Sequence, residues 1–214
     1  TVIVSGSGNV AQYAMEKAMQ LWAIVISASD SDGTIVVPDG FTTELLEALK
    51  ECKNVTRGRL SDFAKEHNLQ YLAGQTPRSL TADIALPCAT QNELDLADAK
   101  LLIQNGVQLV AEGANMPTTL EATEYFISRW VLFAPGKASN AGWVATSGLE
   151  MSQNSLRLSR TRAEVDSKLQ EIMKTIHTQA MTYGTQADGT INYIKGANIA
   201  WFVKVADAML AQGI

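Results

Sequence analysis

The sequence predicts an α/β fold of the Rossmann type, with a doubly wound parallel sheet of five or more strands and a helical C-terminal third. Apolar segments alternate with helical patterns as far as Gly136, as is typical of parallel strands buried on both faces. The first apolar segment also runs directly into a glycine-rich turn and then a helix. We therefore predict a single dinucleotide-binding domain over residues 1–214, with a sheet region at 1–136 and a helical region at 137–214.

Short apolar runs between turn residues predict the strands, and 3.6-residue periodicity predicts the helices. The predicted strands are residues 1–5, 24–29, 34–37, 71–72, 83–86, 107–111 and 131–134. The predicted helices are residues 9–21, 44–52, 62–67, 94–104, 119–127, 141–158, 162–183 and 197–211. Thr42 or Thr43 is the expected cap of the second helix, and Ser61 that of the third.

Composition excludes several classes of function. The net charge is -5 and no basic block stands out, which argues against a nucleic-acid-binding protein. No apolar run reaches the roughly 20 residues that a membrane span needs, and no second ligand accompanies either histidine to suggest a metal site. Two cysteines indicate free thiols in a reducing, cytoplasmic setting. The chain opens on a strand with no signal peptide, as if cut from a longer polypeptide.

The glycine-rich turn is the first candidate binding site. Gly6, Ser7, Gly8, Asn9 and Val10 precede an alanine, so the turn reads G-x-G-x-x-A between strand and helix. The first glycine permits the tight turn, and the second lets the backbone approach a pyrophosphate at the helix N-terminus. We favour dinucleotide binding, although the same residues would also suit a plain tight turn.

The second predicted strand ends near Asp30 and Ser31, where an acidic residue usually binds the ribose 2′-hydroxyl of NAD. Lys53 and Arg59 lie downstream and would favour a 2′-phosphate, to which a serine hydroxyl can also donate. Alternatively, both cations are solvated surface charges. On this chemistry the choice between NAD and NADP stays open.

Long segments of the chain resemble glutamate dehydrogenase. They read PCATQNEL at residues 87–94, EGANMPTT at 112–119, APGKASNAG at 134–142, TSGLEMSQN at 146–154 and GANI at 196–199. The resemblance covers essentially the whole chain and is nearest to the coenzyme-binding half of the bacterial-type, NADP-linked, hexameric enzymes. It implies reversible oxidative deamination of L-glutamate to 2-oxoglutarate and ammonia, with NADP preferred to NAD.

The resemblance also implies residue roles. Residues 6–10 would hold the pyrophosphate, and Asp30, Ser31, Lys53 and Arg59 would surround the adenosine ribose and its 2′-phosphate. Four further side chains would lie at the other end: Asn115 and Asn140 at the nicotinamide, and Val144 and Ser147 at glutamate. Without the resemblance, both asparagines would be interpreted as turn or cap residues and Ser147 as structural. The lysines and the aspartate that the family uses for catalysis belong to a preceding domain, so we predict that this chain is inactive alone.

Several positions depart from the family pattern. Trp22, Trp143 and Trp201 stand where glycine is expected. Arg78 and Arg160 replace tryptophan, and Ile24, Val37 and Cys52 replace Lys, Asp and Ile. Such changes are rarely neutral, so we interpret them as engineering of a domain cut free, unless the subfamily itself differs at these positions. The arginines would suit newly exposed surface, and the three tryptophans would form a contact with another copy of the chain or a designed partner.

Overall fold

The computed structural model describes residues 1–214 and divides them into two compact units, Thr1–Phe133 and Ala134–Ile214. The strands are β1 (Val2–Ser5), β2 (Ser27–Asp30), β3 (Gly33–Val36), β4 (Gln70–Ala73), β5 (Ile84–Pro87), β6 (Leu109–Ala111) and β7 (Leu132–Ala134). The helices are α1 (Asn9–Gln20), α2 (Thr43–Asn54), α3 (Leu60–Glu66), α4 (Leu96–Gln104), α5 (Leu120–Ser128), α6 (Gly136–Ser139), α7 (Gly142–Leu156), α8 (Arg162–Gly184) and α9 (Tyr193–Ala211), with a 3-10 turn at Pro77–Ser79.

The strands form a four-stranded sheet in the order β1-β5-β6-β7, in which β1, β5 and β6 run parallel. This arrangement confirms the Rossmann-like fold class, but the parallel sheet has fewer than the five or more strands we predicted. The segment at 24–29 explains the difference. Its backbone pairs with β1 at an isolated parallel bridge between Val25 and Val2, and β2 then pairs with β3 in a separate antiparallel sheet, β2-β3-β4.

The core of the first unit lies between these strands and the helices α1, α2 and α3. Val4, Met15, Val25, Leu49 and Leu60 are fully buried members of one hydrophobic cluster. Burial of large aliphatic side chains contributes about 1.5–3 kcal/mol each relative to leaving them exposed. This cluster fixes β1 and the start of α1, and therefore the glycine turn between them.

The caps show where local chemistry sets the helix boundaries. Thr42 caps α2 by accepting the Leu45 N–H, which confirms one of the two caps predicted for this helix. Ser61 does not cap α3, so that prediction was wrong. The helix begins at Leu60, whose N–H is donated to the Asp30 carboxylate instead. A side chain thirty residues away in sequence supplies this cap, which no local pattern could reveal.

The second unit contains helices only, apart from the end of β7. Thr161 and Glu164 form a capping box at the start of α8, and Asn192 caps α9 by accepting the Lys195 N–H. The Asn192 cap explains why α9 begins four residues before the predicted start at 197. Helices α8 and α9 pack closely, since a Cβ at Gly196 would lie 1.8 Å from the Ala180 carbonyl oxygen. No helix in the chain is both long and apolar enough to span a bilayer.

Candidate functional site

The glycine turn is held from two sides. Gly6 has φ +89°, in the left-handed region that favours glycine, and a Cβ there would lie 3.0 Å from the Cys88 carbonyl oxygen. Its N–H donates to Ser29 Oγ at 2.8 Å, and its carbonyl accepts the Ser29 N–H at 3.1 Å. Backbone conformation and packing therefore both require glycine at position 6.

Gly8 differs, because nothing within the chain requires a glycine there. Its φ is −80°, which any residue adopts, and a Cβ would meet no atom within 4 Å. It is the N-cap of α1, so no side chain caps this helix, and no acidic residue lies in the first turn. The first N–H groups of α1 and the positive end of its dipole thus suit an anionic ligand.

A buried amide braces the same turn. Gln12 is only 1% exposed, and its Nε2 donates to the Ser7 carbonyl at 2.8 Å. Its Oε1 accepts from Asn54 Nδ2 at 2.9 Å, which joins α1 to the end of α2. We did not predict this role. The available signal was a polar residue on a helix face whose other buried residues, Ala11 and Met15, are apolar.

Asp30 has a structural role beyond the one proposed from the sequence. One carboxylate oxygen accepts the Asp32 N–H at 3.0 Å, and the other accepts the Leu60 N–H at 3.1 Å. The carboxylate therefore orders the turn after β2 and starts α3. Each oxygen retains a second lone pair, which a ribose hydroxyl could use.

The structure brings Ser31 and Arg59 together at this turn. Arg59 Nη1 donates to Ser31 Oγ at 3.3 Å and pairs with Asp32 Oδ2 at 3.3 Å. Ser31 Oγ also donates to Asp32 Oδ1 at 3.0 Å. Lys53 Nζ donates to the carbonyl of Gly58, the residue before Arg59, at 2.9 Å. Asp32 was missed as a member of this group, although it ends the Asp-Ser-Asp run in the sequence.

The loop after β5 lies against the glycine turn. Ser5 Oγ accepts the Cys88 N–H at 3.1 Å, and Glu93 accepts the Ala89 N–H at 2.9 Å. Burial, with a smaller effect of the Glu93 charge, raises the pKa of the Cys88 thiol to about 12. Cys88 is therefore protonated at neutral pH and contributes packing rather than a nucleophile.

The Asn115 loop joins the same edge of the first unit. The Asn92 N–H donates to the Met116 carbonyl at 3.0 Å, and the Leu94 N–H donates to the Pro117 carbonyl at 2.9 Å. Asn115 lies between β6 and these contacts, and its side chain is exposed. The loops after β1, β2, β5 and β6 thus all carry predicted site residues or neighbours that hold them.

The remaining predicted site residues lie in the second unit. Asn140 ends α6, where its N–H donates to the Gly136 carbonyl at 2.9 Å. Val144 is 77% exposed on α7, and Ser147 follows it by three residues and is also exposed. Residues three apart on a helix are neighbours on its surface. Val144 and Ser147 therefore share one accessible face of α7.

The three tryptophans and Arg78, interpreted above as departures from the family pattern, differ in exposure. Trp22, Trp143 and Trp201 are 94%, 57% and 69% exposed. Trp22 also has φ +69°, a conformation that suits the glycine expected there and strains tryptophan. The interpretation of Arg78 as newly exposed surface was wrong, since its side chain is 13% exposed and pairs with Glu93 and Asp98.

No group of three or more His, Cys, Asp or Glu side chains is placed to hold a metal ion.

Comparison with known proteins places this geometry in a family. The family model for glutamate/leucine/phenylalanine/valine dehydrogenases matches residues 1–213. The NADP-specific glutamate dehydrogenase of Haemophilus influenzae is 61% identical over 214 residues, which are 100% of this chain and 48% of that protein. The enzyme of the same description from Escherichia coli K12 is 62% identical over 213 residues, 100% of this chain and 47% of that protein. The chain thus spans about half the length of these relatives.

A solved structure supports the same relationship. Glutamate dehydrogenase of Plasmodium falciparum superposes with a TM-score of 0.94 at 43% identity, over 100% of this chain and 46% of that one. The match extends over the whole chain, from the glycine turn to α9. By sequence and by structure, this chain belongs to the glutamate/leucine/phenylalanine/valine dehydrogenase family.

Proposed function

We propose that this chain binds NADP(H) and is the coenzyme-binding part of a glutamate dehydrogenase. The observation that carries the proposal is the α1 N-terminus, where Gly8 leaves the first N–H groups uncapped and open to a pyrophosphate. Gly6 and Gln12 hold the turn that precedes these groups. The relatives from Haemophilus influenzae and Escherichia coli support the same coenzyme, since both are described as NADP-specific.

The group around Ser31 supports NADP over NAD. Arg59 is 60% exposed, so its guanidinium is accessible to a phosphate. Lys53 uses one N–H on Gly58, and an ammonium carries three donors. Both carboxylate oxygens of Asp30 accept backbone N–H groups. Asp30 therefore stabilises the turn in addition to any contact with the ribose. Ser31, Lys53 and Arg59 would together hold a 2′-phosphate, the two cations through charge-assisted hydrogen bonds.

We further propose that the 214 residues do not turn over glutamate alone. When bound, the nicotinamide would supply the hydride acceptor for deamination of glutamate. Asn115 of the first unit would orient that end of the coenzyme, and for the second unit the resemblance implies contact with the nicotinamide for Asn140 and with glutamate for Val144 and Ser147. An amide, an apolar side chain and a hydroxyl provide no base matched to proton transfer near neutral pH. The family resemblance assigns that work to lysines and an aspartate in another domain.

A titration tests the binding proposal. NADPH fluorescence and calorimetry should show saturable binding to the purified chain, and NADH should bind more weakly. Gly8→Ala is the sharpest variant, because alanine fits the backbone and the open space at this position, so that only the poorer N-cap preference of alanine should lower stability, by about 1 kcal/mol. The added methyl would nevertheless obstruct the pyrophosphate, so NADPH affinity should fall. Unchanged NADPH affinity in Gly8→Ala would argue against the proposed site.

A second candidate function rests on the exposed tryptophans. Trp22, at 94% exposure, is far more accessible than is usual for this residue type. If the departures reflect engineering, Trp22, Trp143 and Trp201 would bury themselves against a second copy of the chain. The molar mass measured by light scattering after size-exclusion chromatography distinguishes coenzyme binding from self-association. A dimer lost in Trp22→Gly or Trp143→Gly would support the scaffold, and a monomer stabilised by NADPH would support the coenzyme-binding domain.

A further inference from the structure

Arg78 is the centre of a buried ion network that the proposed site does not include. Its side chain is 13% exposed, and Nη1 pairs with Asp98 Oδ1 at 3.3 Å while Nη2 pairs with Glu93 Oε2 at 3.6 Å. Nη2 also donates to the Glu93 backbone carbonyl. Glu93 is itself only 7% exposed. One guanidinium therefore balances two carboxylates, of which Glu93 would be costly to bury unpaired.

Glu93 connects this network to the loop after β5. While one carboxylate oxygen faces Arg78, the other accepts the Ala89 N–H at 2.9 Å. Ala89 is exposed and starts the run of residues 89–92 that crosses the sheet edge. Arg78 and the Ala89 peptide are therefore held by the same carboxylate.

The position of that peptide matters because it touches the glycine turn. A Cβ at Gly6 would lie 3.1 Å from Ala89 Cα and 3.0 Å from the Cys88 carbonyl oxygen, so the two backbones are in close contact. At its other end the loop is bonded to the Met116 carbonyl through Asn92. A shift of the loop would therefore move the turn that receives the pyrophosphate, the Asn115 loop, or both.

We infer that Arg78 is a positioning residue for dinucleotide binding, acting through Glu93 on the Ala89 loop. The inference rests on the proposed binding of NADP(H) and adds to it a residue that would touch no coenzyme atom. It also gives a reason for arginine at a position where the family pattern predicts tryptophan. The guanidinium supplies the charge that allows a buried glutamate to hold the loop.

Four variants test the inference. Arg78→Met removes the guanidinium and keeps the stem, whereas Glu93→Met removes the acceptor for the Ala89 N–H. Glu93→Gln keeps an acceptor oxygen and loses the charge. Lys50→Met is the matched control, because Lys50 also bridges two carboxylates, Glu16 and Glu47, both at 2.6 Å. Each variant is characterised by thermal unfolding, NADPH titration and the ¹H–¹⁵N resonance of the Ala89 amide.

Arg78→Met and Glu93→Met should weaken NADPH binding about tenfold, as expected for loss of a hydrogen bond to a charged group. Both should also shift the Ala89 amide resonance. Glu93→Gln should bind within about threefold of the unaltered chain, and Lys50→Met should lose stability without losing affinity. If Arg78→Met fails to fold, the difference between Glu93→Gln and Glu93→Met decides the question.

Two negative results have different meanings. If the unaltered chain binds NADPH and Arg78→Met or Glu93→Met binds it equally well, the positioning role is overturned and the proposed function stands. If the unaltered chain binds no NADPH, the proposed function fails and the inference fails with it.

Discussion

The two units of the chain are stabilised in different ways. Every buried hydrophobic residue except Ala180 and Ala197 belongs to Thr1–Phe133. In the second unit, α8 and α9 approach each other through backbone at Gly184 and Gly196 rather than through a core of large side chains. The first unit therefore depends on apolar burial, and the second on the absence of side-chain atoms at one helix crossing.

The exposed surface differs in the same sense. The second unit exposes large apolar side chains along α7 and α9, including Trp143, Trp201, Phe202 and Leu210. Burial in a partner would stabilise such a surface. The first unit also exposes some large apolar side chains, such as Trp22 and Trp130, but it has in addition a core of large buried side chains. All of the residues proposed to surround the 2′-phosphate belong to the first unit. This contrast predicts that changes in either unit alter stability, whereas only changes in the first unit alter the preference for NADPH over NADH.

The largest effect is expected at the helix crossing in the second unit. Gly196→Ala would place a Cβ 1.8 Å from the Ala180 carbonyl oxygen, and backbone cannot move aside cheaply. We predict a loss above about 4 kcal/mol, in the range of exceptional substitutions, with separation of α8 from α9. Gly148→Ala is the control, since its Cβ meets nothing within 4 Å. Circular dichroism and hydrogen exchange measure both, and equal stability of the two variants would refute the close-approach argument.

In the first unit, the corresponding test is a substitution that leaves a cavity in the hydrophobic core. Leu46→Ala removes a side chain that is 2% exposed within the main hydrophobic cluster, and we predict a loss of about 3 kcal/mol. Hydrogen exchange should increase in β1, α1 and α2, while α8 and α9 keep their protection. Urea denaturation gives the magnitude. Uniform deprotection of both units would show that they unfold together, which would remove the contrast drawn above.

Coenzyme preference should respond to the first unit alone. Replacing Lys53 and Arg59 together by alanine should weaken NADPH binding by about 1.5–3 kcal/mol at low salt, with a smaller loss at higher salt because Arg59 is 60% exposed. NADH affinity should stay within error, since NADH carries no 2′-phosphate. Calorimetric titrations of both coenzymes make the test. An equal loss for both would mean that the cations act on something other than the 2′-phosphate.

Much of this architecture could be predicted from local patterns. Apolar runs locate the strands at 2–5 and 84–87, and a glycine pattern locates the turn, because period and turn chemistry act over a few residues. The start of α9 was missed although its cap is local, but the main failures are long-range. Asp30 caps α3 across thirty residues, and Glu93, which accepts the Ala89 N–H, pairs with Arg78 fifteen residues away. Pairings of this kind depend on the completed fold, so neither periodicity nor spacing reports them.

Asp32 is another such residue, and it gives the smallest predicted effect. Its carboxylate pairs with Arg59 at 3.3 Å and accepts from Ser31 Oγ at 3.0 Å, so it competes with a 2′-phosphate for both groups. Asp32→Asn keeps an acceptor for Ser31 but removes the negative charge. We predict NADPH binding about two- to fivefold tighter, because exposed ion pairs contribute about 0.2–1 kcal/mol. NADH binding should not change, and about 1 M salt should abolish the gain by screening. Weaker NADPH binding in Asp32→Asn would instead mean that Asp32 holds Arg59 in the position the phosphate needs.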